Sequence, residues 1–243
     1  MFAQILEHSQ PVGETTSLPL ESFSDAWADR LADAARYVVL SRLMPVLRHE
    51  VAGAMQAPRM LLMVVEKRLQ ALEPDLQAIT KNVASISAQT KQASVTCMAA
   101  MDWIASREDI RIDLFSSVDE MTALLAMELS VHALTVVNSI EDTQTTVPQS
   151  FIRSVVVGAL LAFCDQHPEG GSLQVTFKPA NSKSGLSGQL RLQLRSDAAV
   201  KLPETKQLAP ASRLIDWMDL QAMAQSTNVQ MARGEGWLTL DLP

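Results

Sequence analysis

Cysteine is scarce in this chain. Cys97 and Cys164 stand alone in apolar helical stretches, with no CxxC pair and no histidine at metal-ligand spacing. That argues against a disulfide framework and a zinc site, and predicts two buried thiols in a reducing compartment. Positive charge is short as well: 20 Lys and Arg face 27 Asp and Glu, a net charge of −7 with no basic cluster. A chain of that kind has little with which to neutralise nucleic-acid phosphates. Charged residues interrupt every stretch that approaches the ~18 apolar residues of a membrane span, and Met1 to His8 has no basic flank of a secretory leader. No contact with a membrane is expected, and the location expected is the cytoplasm. Nucleophile-elbow and dinucleotide-binding fingerprints are missing too. What is present is a 243-residue chain, 47% hydrophobic, enough for a proper core in one large or two small domains.

Residues 1–22 contain Pro11, Gly13, Ser17 and Pro19 and read as an irregular lead-in. A helical pattern begins at Ser24 and runs to about Leu72, with kinks or a break expected at Pro45 and Pro58. Its apolar positions, Leu40, Met44, Leu47, Val51, Ala54, Leu61, Val65, Leu69 and Leu72, keep nearly the 3.5-residue spacing of a helix packed along another. Glu73-Pro74-Asp75 makes the turn, with Pro74 suited to the first position of a second helix that reaches about Ser106. Residues 23–106 thus read as an antiparallel helical hairpin. Two helices cannot bury a stripe of that length on both members, which points to a homodimeric four-helix bundle.

Past Arg107 the pattern changes to α/β. Short strands are expected at Ile110 to Leu114, His132 to Ile140, Ser172 to Lys178, Gln189 to Arg195, Val229 to Ala232 and Trp237 to Leu242. Between them come a helix from Ser117, with a Ser117/Glu120 capping box, an apolar helix opened by Pro148, and a helix from Ser212 to about Ser226. The fold class expected is α+β: a helical hairpin, then, over residues 107–243, an α/β sandwich with one sheet face covered.

The most telling stretch is Leu47-Arg48-His49-Glu50-Val51-Ala52-Gly53-Ala54-Met55-Gln56. His49 lies two residues from both Leu47 and Val51, roughly 200° around a helix from each. Its imidazole should therefore point away from the apolar seam. Glu50 is beside it and only Ala52 and Gly53 stand one turn on. A glycine within a helix costs ~0.5–1 kcal/mol against alanine, which either a close helix approach or a docking partner would explain. A protruding histidine with a neighbouring carboxylate and a cleared approach is what a phosphoryl acceptor needs. The other histidines read as structural (His132, in a strand) or as exposed and inert (His167, in a turn). The four tryptophans read as core or interface residues.

The order of elements resembles a bacterial histidine kinase core, a dimerising hairpin followed by a Bergerat-type ATP-binding domain. The Leu47–Met55 stretch resembles the phospho-acceptor box, Phe151 to the Pro168-Glu169-Gly170-Gly171 turn resembles the helix that carries the magnesium-binding asparagines, and Gly234 to Pro243 resembles the closing hairpin. The departures matter. Ala162 and Gly158 stand where the resemblance places asparagines, and an alanine offers no oxygen to a magnesium ion. Ser196-Asp197-Ala198-Ala199 stands where it expects Asp-x-Gly-x-Gly, and Leu202 to Ala211 holds no glycine for a phosphate loop. No cofactor is expected on this chain.

A histidine-bearing bundle with a degenerate nucleotide domain is similar to the histidine phosphotransferases of the ChpT type. The resemblance implies that His49 carries a phosphoryl group between receiver domains of response regulators, which supply the Mg²⁺. Glu50 would orient the imidazole, Arg48 would contact phosphate oxygens, and Arg42, Ala52, Gly53 and Gln56 would dock the receiver. Two other readings stay open: an inert pseudokinase scaffold that binds a receiver or a partner kinase, and an unrelated dimeric helical protein.

Overall fold

The computed structural model describes residues 20–103, 110–142, 144–180, 188–195 and 213–242. It is α+β, an N-terminal helical pair followed by a mixed sheet. The first helix, α1 (Leu20–Leu69), is 50 residues long, about 75 Å at the usual rise per residue. It runs through Pro45 and Pro58 without a break. Each proline still forfeits a helical hydrogen bond, but packing carries the ladder past both: Leu43 and Leu47 flank Pro45 as buried residues, and Pro58 is itself buried.

Asp75 caps α2 (Leu76–Asp102) by accepting from the Ala78 N–H at 3.0 Å, so Pro74 precedes the cap and is not the first helical residue. The expected end at Ser106 lies outside the described residues. The hairpin is thinly packed towards its turn. Pro58, Val65, Ile79 and Ala93 are its buried residues there, while Met55, Met60, Leu62, Met63, Val64, Leu69, Val83 and Val95 stay exposed.

The nearer half of α1 is different. Ala32, Ala35, Val38, Val39, Leu43 and Leu47 form one buried stripe at helical spacing. Val39, Leu43 and their neighbours join the main core with the helices of the α/β portion. That portion opens with β1 (Arg111–Asp113), α3 (Leu114–Leu124) and α4 (Ala126–Val131). The cap of α3 is Asp113, whose Oδ1 accepts from the Ser116 N–H at 2.7 Å. Ser117, expected as the cap, is buried in the first turn and donates its hydroxyl to the Asp113 carbonyl. Next come β2 (Leu134–Asn138) and β3 (Thr146–Pro148). β3 falls where no strand is expected from the sequence, and β1 pairs with it antiparallel, apart from the main sheet.

Pro148 precedes one continuous run of helix: α5 (Gln149–Phe151), a π-wound turn (Ile152–Val156) and α6 (Val157–Gln166). Every residue from Phe151 to Cys164 except Arg153 is buried. β4 (Gly171–Pro179) and β5 (Gly188–Arg195) follow, then α7 (Trp217–Ser226), β6 (Gln230–Gly234) and β7 (Trp237–Leu242). The strand expected from His132 begins at Leu134, and the helix expected from Ser212 begins at Trp217, capped by Asp216.

The sheet order is β2-β4-β5-β7-β6, antiparallel except for β2 with β4. Leu173, Val175 and Phe177 alternate inward along β4, Leu190 and Leu192 along β5, and the other face carries Gln174, Arg191 and Gln193. One covered face is what that alternation requires. No helix among the described residues is long and apolar enough to cross a membrane.

The turn from α6 into β4 sets the strand's register. Gly170 has φ +72°, and a Cβ there would lie 2.5 Å from the Ala133 carbonyl oxygen, while the Gly171 N–H donates to that same oxygen. Gly170→Ala is expected to cost about 1–3 kcal/mol through left-handed strain and this contact, read as a lower urea midpoint with an unchanged slope.

Candidate functional site

His49 sits on α1 just beyond the stretch covered by the α/β portion. Leu47 is buried and Val51 half-buried, and between them Arg48, His49 and Glu50 are exposed. Ala52, Gly53 and Gln56 continue the exposed surface one to two turns on. A Cβ built on Gly53 meets nothing within 4 Å. Among the described residues, therefore, none requires a glycine at that point by approaching it closely.

Arg42 does not belong to this surface, contrary to expectation. Seven residues before His49, it lies on nearly the same line of the helix, about 20° off and about 10 Å along the axis. Its side chain is only 4% exposed. One guanidinium nitrogen meets the fully buried Asp165 at 2.5 Å and another pairs with Glu128 of α4. Asp165 also accepts from the Ile215 N–H at 2.8 Å, so this one carboxylate joins α1, α6 and the approach to α7. Burial works against the Arg42 charge, but the hydrogen bonds it donates to Asp165 and Glu128, with their charges, hold its pKa above the ordinary value. The cluster ends at His132, whose Nε2 is 3.8 Å from Glu128 Oε1.

Arg42 reads from the sequence as a docking residue, and Asp165 escaped the sequence reading although it carries a signal. Asp165 is the first charge after an apolar helical run from Val155 to Cys164. A carboxylate continuing such a run needs a cation.

His167, expected to be exposed, is half-buried, stacked on Phe163 at 5.5 Å and 3.0 Å from the Glu169 carboxylate. His132 lies at the end of α4, before its expected strand. Cys164 is buried, and burial pushes its thiol up to about 12, whereas Cys97 is only partly covered. Trp27 is largely exposed.

Ala162 is fully buried on α6. Four residues earlier, a Cβ on Gly158 would lie 2.6 Å from Met223 Cε, 3.5 Å from Leu220 Cδ1 and 3.7 Å from Val39 Cγ2. Side chains of α7 and α1 thus close over α6 at that position. Ser196 and Ala198, with the segment to Ala211, lie outside the described residues. No group of three or more His, Cys, Asp and Glu suited to a metal occurs among the described residues.

No protein-family model and no curated protein matches the chain. Among solved structures it is similar to the Acinetobacter baumannii histidine kinase AdeS (14% identity, TM-score 0.36, 76% of this chain and 95% of that one). It is also similar to a bacterial phosphotransferase (14% identity, TM-score 0.36, 84% and 95%). A third is the histidine kinase ThkA, in complex with the response regulator TrrA (11% identity, TM-score 0.40, 94% and 67%). At such values the functional reading rests on this chain's own residues.

The Arg42 cluster gives a direct test. Arg42→Met leaves the Asp165 carboxylate buried with only a backbone donor and is expected to cost about 3 kcal/mol in urea denaturation. Adding Asp165→Asn, which keeps an oxygen for the Ile215 N–H but removes the charge, is expected to recover part of that loss.

Proposed function

We propose that this chain is a two-component histidine phosphotransferase that relays phosphoryl groups between receiver domains through His49 and does not phosphorylate itself from ATP. The observation that carries this reading is an exposed imidazole with open space over Gly53, at the border of the α/β portion. None of the described residues approaches Gly53, which favours contact with a second molecule as the reason for a glycine there.

In the proposed step a neutral imidazole nitrogen attacks the phosphorus of a receiver's aspartyl phosphate. A P–N bond forms, the P–O bond to the aspartate breaks, and the aspartate leaves as a carboxylate. The reverse step loads the next receiver. Phosphoryl transfer depends mainly on positioning and charge neutralisation. This chain presents the nitrogen, with Glu50 proposed to hold the imidazole orientation and Arg48 to meet phosphate oxygens. Ala52, Gly53 and Gln56 form the proposed docking surface, and the receiver brings its own Mg²⁺. The absence of autokinase activity is argued from Ala162 and Gly158, which offer no side-chain oxygen where a kinase would hold its metal.

The chain is proposed to divide as residues 1–22, 23–106 and 107–243, with the hairpin forming a homodimer. The exposed Met55, Met60, Leu62, Met63, Leu69 and Val83 favour that assembly, because a single copy leaves them in water. Sedimentation is expected to show a dimer that Met60→Glu with Met63→Glu shifts to monomer.

Incubating the protein with a ³²P-labelled receiver is expected to place acid-labile label on wild type and none on His49→Gln. Labelled ATP alone is expected to leave it unlabelled. A His49→Gln variant that still binds the receiver and keeps signalling intact would favour the inert scaffold. Gly53→Ala separates docking from stability: it is expected to stabilise the helix by ~0.5–1 kcal/mol while slowing transfer.

A further inference from the structure

A cleft of about 480 Å³ lies between α1 and the α/β portion, and neither His49 nor positions 158 and 162 line it. Its walls come from the Asp33–Leu43 stretch of α1, Trp103 at the end of α2, the β1–β3 pair, the first turns of the helix after Pro148 and the end of α7. That volume is in the ordinary range of small-molecule sites, ~300–1,000 Å³. The floor is apolar, with Leu40, Leu43, Phe151 and Leu242 among its residues.

The charge on the walls is opposite to that of the chain. Among the described residues, Arg36, Arg111 and Arg153 line the cleft with a single carboxylate, Asp33, in a protein of net charge −7. Asp33 is already engaged by Arg36 at 3.0 Å, and Arg36 also reaches the Ser226 hydroxyl at 2.7 Å. Arg111 is held by the Thr146 hydroxyl and carbonyl. Arg153 donates to the Asp102 carbonyl and lies over the Trp103 ring, 4.9 Å from its centroid. Among the described residues, neither Arg111 nor Arg153 has a carboxylate within salt-bridge distance. Burial lowers the Arg153 pKa, outweighing the attraction of Asp102 and Glu120. Arg153 is half-buried and Arg111 exposed, and both line the same apolar-floored cavity, where one anion can meet both guanidinium groups with charge-assisted hydrogen bonds.

We propose that this cleft binds a small organic anion, with a carboxylate, phosphate or sulfonate head between Arg111 and Arg153 and a flat apolar body over Leu40 and Phe151. Such a ligand touches both α1 and the α/β portion and so ties the two together. It is independent of whether His49 carries phosphate.

The test is calorimetric titration of the full chain with 2-naphthoate, and with neutral 2-naphthamide as its isostere. Saturable one-to-one binding of the acid is expected, with the amide about ten-fold weaker or more, the weight of a charge-assisted hydrogen bond. Arg111→Gln and Arg153→Gln are each expected to weaken the acid by a similar factor, and Lys178→Gln, on exposed β4 surface, to leave it unchanged. Leu40→Trp keeps every charge and fills the floor, so it should block the acid; circular dichroism checks that each variant is folded. Equal binding of acid and amide, no saturable binding, or the same loss in Lys178→Gln would overturn the proposal. Binding that emerges only after Glu108→Gln with Asp109→Asn would also overturn it, by showing that the chain's own carboxylates satisfy these cations.

Discussion

The grip of Arg42 on Asp165 and Glu128 is the interaction on which the arrangement depends. A mid-helix arginine and a carboxylate at the end of an apolar helix are both expensive to bury alone, and each removes the other's cost only when α1 lies against α6. Apolar contact between Val39, Leu43 and the α/β core is non-directional and would tolerate sliding by a residue. The ion cluster does not tolerate it. Asp165 takes a guanidinium N–H and the Ile215 N–H on the same oxygen, so shifting α1 by one position would strand a buried charge. Hydrophobic burial supplies the adhesion and the cluster supplies the register.

That register decides where the candidate histidine stands. His49 is two turns beyond Arg42 on nearly the same line of α1, so the α/β portion covers one position and ends short of the other. Had the domain settled a turn further along, the imidazole would face protein and not solvent. An open position at the edge of a rigid wall limits the directions from which a partner can approach. Restricting approach is how a site with few functional groups of its own favours reaction, since orientation supplies much of what is needed for transfer.

The layout was legible where periodicity is strong. The alternation of Leu190, Leu192 and Leu194 marked a strand, the long apolar stripe marked α1, and the two-residue offset from Leu47 marked the exposed face of His49. Local signals misled where two chemistries competed. Ser117 with Glu120 spells a capping box, yet Asp113, at the end of an extended strand, starts the helix four residues earlier by accepting from the Ser116 N–H. The prolines spell a break, but breaks are local costs and the packing on either side is larger. β3 and the π-wound turn left no periodic trace. Arg42 was misread for a different reason: helical geometry gives its direction correctly, but whether that direction meets water or a second domain is a long-range fact.

The helix that resembles a nucleotide-binding element packs with no polar side chain at the two positions where the resemblance places asparagines. A metal-holding asparagine needs a polar atom on α6, open space above it and a hard cation to pair with. Without the ligand, that atom would be a buried polar group lacking a partner, at a cost comparable to a lost hydrogen bond. Ala162 and Gly158 remove the polar atoms, and Met223, Leu220 and Val39 supply apolar contact at position 158. At both positions the helix needs only a neighbour, and at its end Asp165 holds α1 through Arg42. In the proposed relay the α/β portion contributes position rather than chemistry, and a single exposed nitrogen on the hairpin suffices because the receiver brings both phosphate and metal.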